Sequence, residues 1–145
     1  MKLIIKKKIN APKNELWSYI ADFSNIYRFH PLLSDSHFTN GSDSCEIGST
    51  RQCNMKDGGF IKEKMVDLKQ GSSYTITIEE TSMPVKKAIV TMGVNELSKE
   101  KSEVYMHMDM TPKNKFLQPM MYLMFKFKIG PSILNGLATL HRKEK

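Results

Sequence analysis

The chain has 145 residues and a formal net charge of +7, from 22 Lys and Arg against 15 Asp and Glu. Hydrophobic residues make up 40% and charged residues 26%, the balance of a water-exposed globular domain, and the length fits one domain over residues 1–145. The lysines are spread along the chain with no aromatic–basic interleaving, so the charge reads as a solvated surface and excludes a nucleic-acid signature.

In chain order, "KLIIKKKI" reads as a strand with Leu3, Ile5 and Ile9 facing in. It lacks the apolar stretch of a secretory signal. "NAPKNELWSYIADF" starts a helix: Pro12 suits the first turn, where its missing N–H costs nothing, and Glu15 favours the dipole. Leu16, Trp17, Ile20 and Phe23 fall at spacings of three and four, which gives one apolar face. "SNIYRFHP" adds a short turn that Pro31 ends at His30.

From residue 33 the pattern changes to strands, near 34–40, 46–55, 60–69, 73–80, 86–97 and 102–111, separated by turn-like stretches such as "KDGG" and "KQGS". In the last of these, Met106, Met108 and Met110 share one face, and His107 and Asp109 alternate with them toward solvent. Residues 115–142 then read as a long helix, apolar almost all round at first and striped later. Gly130-Pro131 should kink or interrupt it. Its most apolar part, "FLQPMMYLMFKFKIG", is broken by Gln118, Pro119, Lys126 and Lys128 and cannot span a bilayer. The order fits an α+β architecture: a curved antiparallel sheet of about seven strands wrapped round a long C-terminal helix.

Polar residues on the inner face are the candidate site. With Lys62 and Lys64 in water, Ile61, Glu63 and Met65 face in. A three-residue loop Asp57-Gly58-Gly59 would set Lys56 opposite Phe60 and Cys53 opposite Glu63. Arg51 would then be the diagonal neighbour of Glu63. Two charges in an apolar interior must pair, so Arg51 and Glu63 are the candidate polar pair, either positioning a ligand or merely closing the sheet. Trp17 reads as a core anchor or a stacking surface for a ligand. Cys45 and Cys53 read as reduced thiols of a cytoplasmic protein. No residues have the spacing of a metal site, and no cofactor fingerprint is present, so none of either is expected.

Four stretches in order, "INAPKNELWSYIADFSNIYRFHP", "GSTRQCNMKDGGFIKEKMVDLKQGSSYTITI", "MPVKKAIVTMGV" and "ILNGLATL", resemble the START-like, helix-grip (SRPBCC) superfamily. Within it they resemble the polyketide cyclase/dehydrase and lipid transport group. The resemblance implies a cavity between sheet and long helix for a hydrophobic ligand, with His30 near its entrance. Arg51, Cys53, Glu63, Tyr74, Ile76, Met106, Met108, Met110, Met120 and Met124 would be among its walls. The methionines read equally as a plastic lining or as core filling. The first expectation is a carrier for a hydrophobic or amphipathic small molecule or lipid. The alternative is a cofactor-free cyclase- or dehydratase-type enzyme in which Arg51 and Glu63 do the chemistry, Glu63 as general base. A third is a quinone- or membrane-associated interaction module, the basic, Phe/Met-rich helix leaving room for a transient membrane contact. Oligomeric state is left open.

Overall fold

In the computed structural model, which describes residues 1–145, strand β1 (Lys2–Ile9) buries Leu3, Ile5 and Ile9 and sends most of its lysines to water. Helix α1 (Lys13–Ile20) follows directly after Pro12, and a 3-10 segment, Phe23–Arg28, continues its apolar side. Six strands come next: β2 (Leu33–Thr39), β3 (Thr50–Met55), β4 (Phe60–Lys69), β5 (Ser73–Thr81), β6 (Val85–Ser98) and β7 (Lys101–Pro112). They form one antiparallel sheet with β1, in the order β1-β7-β6-β5-β4-β3-β2. Extra residues at Val66 and Glu79 shift the β4–β5 register twice, and such bulges bend a sheet round what it covers.

The strand expected to begin at residue 46 starts at Thr50 instead. Residues 40–49 form a loop, held to β4 where Gly48 N–H donates to the Met65 carbonyl (2.8 Å) and Met65 N–H donates to the Ser49 carbonyl (2.8 Å). "GSDSCEIG" has too many turn-forming residues for a ladder.

After β7 a short 3-10 turn (Lys115–Leu117) leads into α2 (Gln118–Met124), a π-helical turn (Phe125–Ile129) and α3 (Gly130–Glu144). The interruption expected at Gly130-Pro131 is therefore a widened turn within a continuous helical run. Pro131 has no N–H to give and its ring crowds the carbonyl four residues back, so the chain adopts a longer-range bond: Gly130 N–H donates to the Phe125 carbonyl.

The two halves of this run are buried very differently. In α3, Ile133, Leu134, Leu137, Ala138, Leu140 and His141 all pack into the core. Gly136 lies against the Phe29 carbonyl, where a Cβ would have no room. The C-terminal end is tied down by His141 Nε2 to Glu15 Oε2 (2.8 Å) and by Arg28 donating to Glu144 (2.7 Å). The end of the helical segment at "RFHP" is thus the seat for α3. By contrast, residues 115–129 bury only Met121 and Phe125. A single cluster of 30 buried residues joins sheet and helices.

Candidate functional site on the inner face of the sheet

The β3–β4 hairpin sets the site. Its loop has three residues, but they are Lys56-Asp57-Gly58, closed by Met55 N–H donating to the Gly59 carbonyl (2.8 Å). Gly58 has φ of +95°, the left-handed position that ends a three-residue loop and that glycine occupies without strain. The register therefore moves by two residues from the expected one. The inward face is unchanged, but Arg51 now lies directly opposite Glu63, and Cys53 opposes Ile61 and becomes the diagonal neighbour.

Arg51 is 2% exposed and belongs to the largest fully buried side chains of the protein. Its Nε donates to Glu63 Oε1 at 2.8 Å. Its Nη1 donates to the Phe23 carbonyl (2.9 Å) and to the Tyr74 hydroxyl (3.3 Å). The guanidinium carbon sits 4.0 Å from the centroid of the Phe23 ring, which itself meets Tyr74 edge-on at 5.4 Å. The 3-10 segment thus contributes a ring and a carbonyl to a cation on β3, and β5 adds a phenol backed by Met92 Sδ at 4.0 Å. Glu63 Oε1 also accepts from Cys53 Sγ at 3.5 Å.

Two polar atoms stay unengaged: Arg51 Nη2 and Glu63 Oε2 make no hydrogen bond within the protein. Every fully buried side-chain nitrogen and oxygen of the chain has a partner, so these two lie against accessible space. The ion pair thus keeps one donor group and one acceptor free.

The electrostatics follow from burial and pairing. Burial works against the charge on Arg51, but the facing Tyr74, Glu63 and Cys53 outweigh it and hold its pKa above the usual value. Burial, reinforced by the Glu63 carboxylate, pushes the Cys53 thiol up, so it stays protonated and unreactive. Burial likewise raises Tyr74, against the pull of Arg51. His30 is pushed down to about 4, first by burial and further by Arg51, with Glu63 opposing. Its Nδ1 accepts from Leu32 N–H at 3.3 Å, which leaves the proton of the neutral ring on Nε2.

The structure thus brings Arg51, Cys53, Glu63 and Tyr74 into one contact network, with His30 within reach of its charges. Ile76, Met106, Met108 and Met110 lie in the adjoining core, at 1%, 5%, 7% and 2% exposure. Trp17 is half-buried on α1 and packs against the same cluster. Met120 and Met124 are placed otherwise: they are 52% and 40% exposed, on the loosely seated half of the long helical run. Two concavities of the surface avoid the buried methionines. One, of about 550 Å³ over β3 and β4, is lined by Arg51 and Glu63 themselves with Thr50, Gln52, Lys62, Lys64 and Glu79 and by no apolar side chain, so it is not the apolar cavity expected between sheet and long helix. The other, of about 590 Å³, is lined by Lys115, Phe116, Gln118, Pro119, Tyr122 and Leu123. No three His, Cys, Asp or Glu side chains converge as metal ligands would. Phe23 and Met92 were invisible as site residues in sequence. Phe23 carries the periodic signal of a core residue, and nothing local shows that its carbonyl lands on β3.

The family model for polyketide cyclase/dehydrase and lipid transport proteins matches residues 4–143. The chain belongs to that family. Its helix-grip fold recurs in the XoxI protein of Bacillus cereus at 21% identity and a TM-score of 0.84, covering 99% of this chain and 96% of that one. A protein of Thermobifida fusca matches at 16% identity and a TM-score of 0.81, over 98% and 93% of the two chains. Norcoclaurine synthase of Thalictrum flavum, solved with dopamine and hydroxybenzaldehyde, matches at 13% identity and a TM-score of 0.73, over 100% of this chain and 88% of the enzyme. No curated protein matches by sequence. No helix of this family member is long and apolar enough to cross a membrane.

Proposed function

We propose that the protein is a single-domain carrier for a small hydrophobic or amphipathic molecule, whose polar group is held by Arg51 and Glu63. The observation that carries this is the unengaged donor and acceptor, Nη2 and Oε2, on an otherwise satisfied buried pair. A carboxyl, hydroxyl or carbonyl group complements them. The apolar body would lie along the inner face of the sheet, from Met65 on β4 and Met92 on β6 to Met106, Met108 and Met110 on β7, all of them buried. Unbranched thioether side chains change rotamer readily, so this part of the core can yield to a guest. Family membership supports the ligand class and does not name the ligand.

A second reading is favoured by the same free Oε2, with a neutral imidazole nearby: Glu63 as the base of a cofactor-free reaction. Native mass spectrometry of the purified protein, with ligand affinity and turnover of variants, separates the two. For a carrier, a small apolar molecule co-purifies. Arg51→Met alone loses affinity and about 3–5 kcal/mol of stability, since Glu63 is left without its counter-charge. Arg51→Met with Glu63→Leu regains much of that stability, because both polar groups leave together. A well-folded Glu63→Gln that binds a compound but converts it about 10²–10⁴-fold more slowly than the native protein overturns the carrier reading.

A further inference from the structure

The first half of the long helical run turns apolar residues to water. Phe116 is 80% exposed, Met120 52%, Leu123 57%, Met124 40% and Phe127 67%. Met120, Leu123 and Met124 share one face of α2 by their spacing, Phe127 follows one turn later, and Phe116, in the 3-10 turn before α2, lines one concavity with Leu123. Met121 and Phe125, on a different face, are the residues that hold the segment to the core. Singly exposed apolar residues need no explanation, but five along one short segment form a patch of the kind that marks an interaction surface.

The charges around the stripe say what kind of surface it meets. From Met110 to Lys143 there are six Lys or Arg and no Asp or Glu. Lys113, Lys115 and Lys128 are exposed beside the stripe, whereas Lys126 is committed to the Ile4 carbonyl at 3.0 Å. The open concavity of about 590 Å³ among Lys115, Phe116 and Leu123 sits at the start of the same face. Aromatic and aliphatic side chains on a convex helix, flanked by cations with no anion among them, match the interface of an anionic bilayer, where apolar groups enter the headgroup–acyl boundary and lysines remain with the phosphates.

We propose that residues 115–128 form a docking face for anionic phospholipid membranes, with Phe116 and Phe127 as its inserted anchors and Lys113, Lys115 and Lys128 as its electrostatic contacts. The proposal does not rest on the Arg51–Glu63 reading. The helix lies in the interface plane, and binding is reversible and weakened by salt.

The test is co-sedimentation of the full chain with vesicles of phosphatidylcholine containing phosphatidylserine, and with vesicles of phosphatidylcholine alone. The expected result is binding to the first, weaker binding to the second, and loss with rising salt. Phe116→Ser with Phe127→Ser should weaken binding about tenfold to a hundredfold while leaving the melting temperature unchanged, since both side chains are exposed. Lys115→Gln with Lys128→Gln should weaken it only on the anionic vesicles. Absence of binding to either vesicle overturns the proposal. So does binding that the phenylalanine pair does not affect, which would mean general attraction of a basic protein to charge. A chain that is dimeric in solution, becomes monomeric in the phenylalanine variant and ignores vesicles overturns it too, and assigns the stripe to a second copy.

Discussion

His30 is neutral in the folded protein because partial burial of its ring disfavours the charged form, which brings its pKa to about 4 against an ordinary 6.5. Between those two values the unfolded chain binds a proton that the folded chain refuses, so stability falls as pH drops through that window. The loss amounts to roughly 3 kcal/mol once the pH is below about 4, and this residue contributes no slope above about 6.5. Urea denaturation at steps from pH about 7 to about 4.5 should therefore show a shallower decline for His30→Gln than for the native protein. Equal slopes would mean that the ring is solvated. At this scale the sequence told which residues share a face, because alternation against Lys62 and Lys64 fixes it. It did not tell which residue opposes which. That depended on Gly58 rather than Gly59 taking the left-handed position, a choice between two adjacent glycines that only the closed hairpin makes.

Among the elements, α3 is the one whose seat is most exacting. Gly136 costs the helix about 1 kcal/mol of propensity relative to Ala. Gly136→Ala would recover that but drive a methyl group into the Phe29 carbonyl, a backbone atom that cannot rotate away. Overpacking of this kind costs about 1–3 kcal/mol, so the balance falls on the destabilising side, and a lowered melting temperature in calorimetry is expected. An unchanged or raised value would show that α3 can slide along the sheet. The long helical run was legible from the stripe Ile133, Leu134, Leu137 and Leu140, all buried as the spacing demands. Its first half was not. "FLQPMMYLMFKFK" is apolar nearly all round, so periodicity alone could not choose the inward face, and Met120 and Met124 were placed against the ligand when they face water. The response to Pro131 was also beyond sequence: a proline forbids one hydrogen bond but does not dictate whether the chain breaks, bends or widens its turn.

At the scale of the molecule, the order of elements was readable because the change from period two to period 3.6 is sharp at Pro112, and the family's ordered stretches run through nearly the whole chain. How tightly the interior is filled was not readable, since it depends on side-chain rotamers across the sheet. The sheet order has one further consequence. Five of its six strand pairs join neighbours in the chain, and only β1 with β7 joins distant ones, from Lys2 opposite Asp109 to Ile9 opposite Ser102. Closing so long a loop carries a large entropy cost, so the hairpins should assemble first and the N-terminal strand last. Ile5→Val, worth about 1 kcal/mol, should then accelerate unfolding in stopped-flow experiments and leave the folding rate nearly unchanged. A folding rate reduced by the full equilibrium loss would put β1 in the nucleus instead. If β1 arrives last it is also shed first, and β7 is then an open edge, with a row of free N–H and C=O groups and the apolar face of Met106, Met108 and Met110 behind it. Such an edge pairs with any strand that reaches it, so β1, by covering β7, also shields it from strand exchange or aggregation between copies.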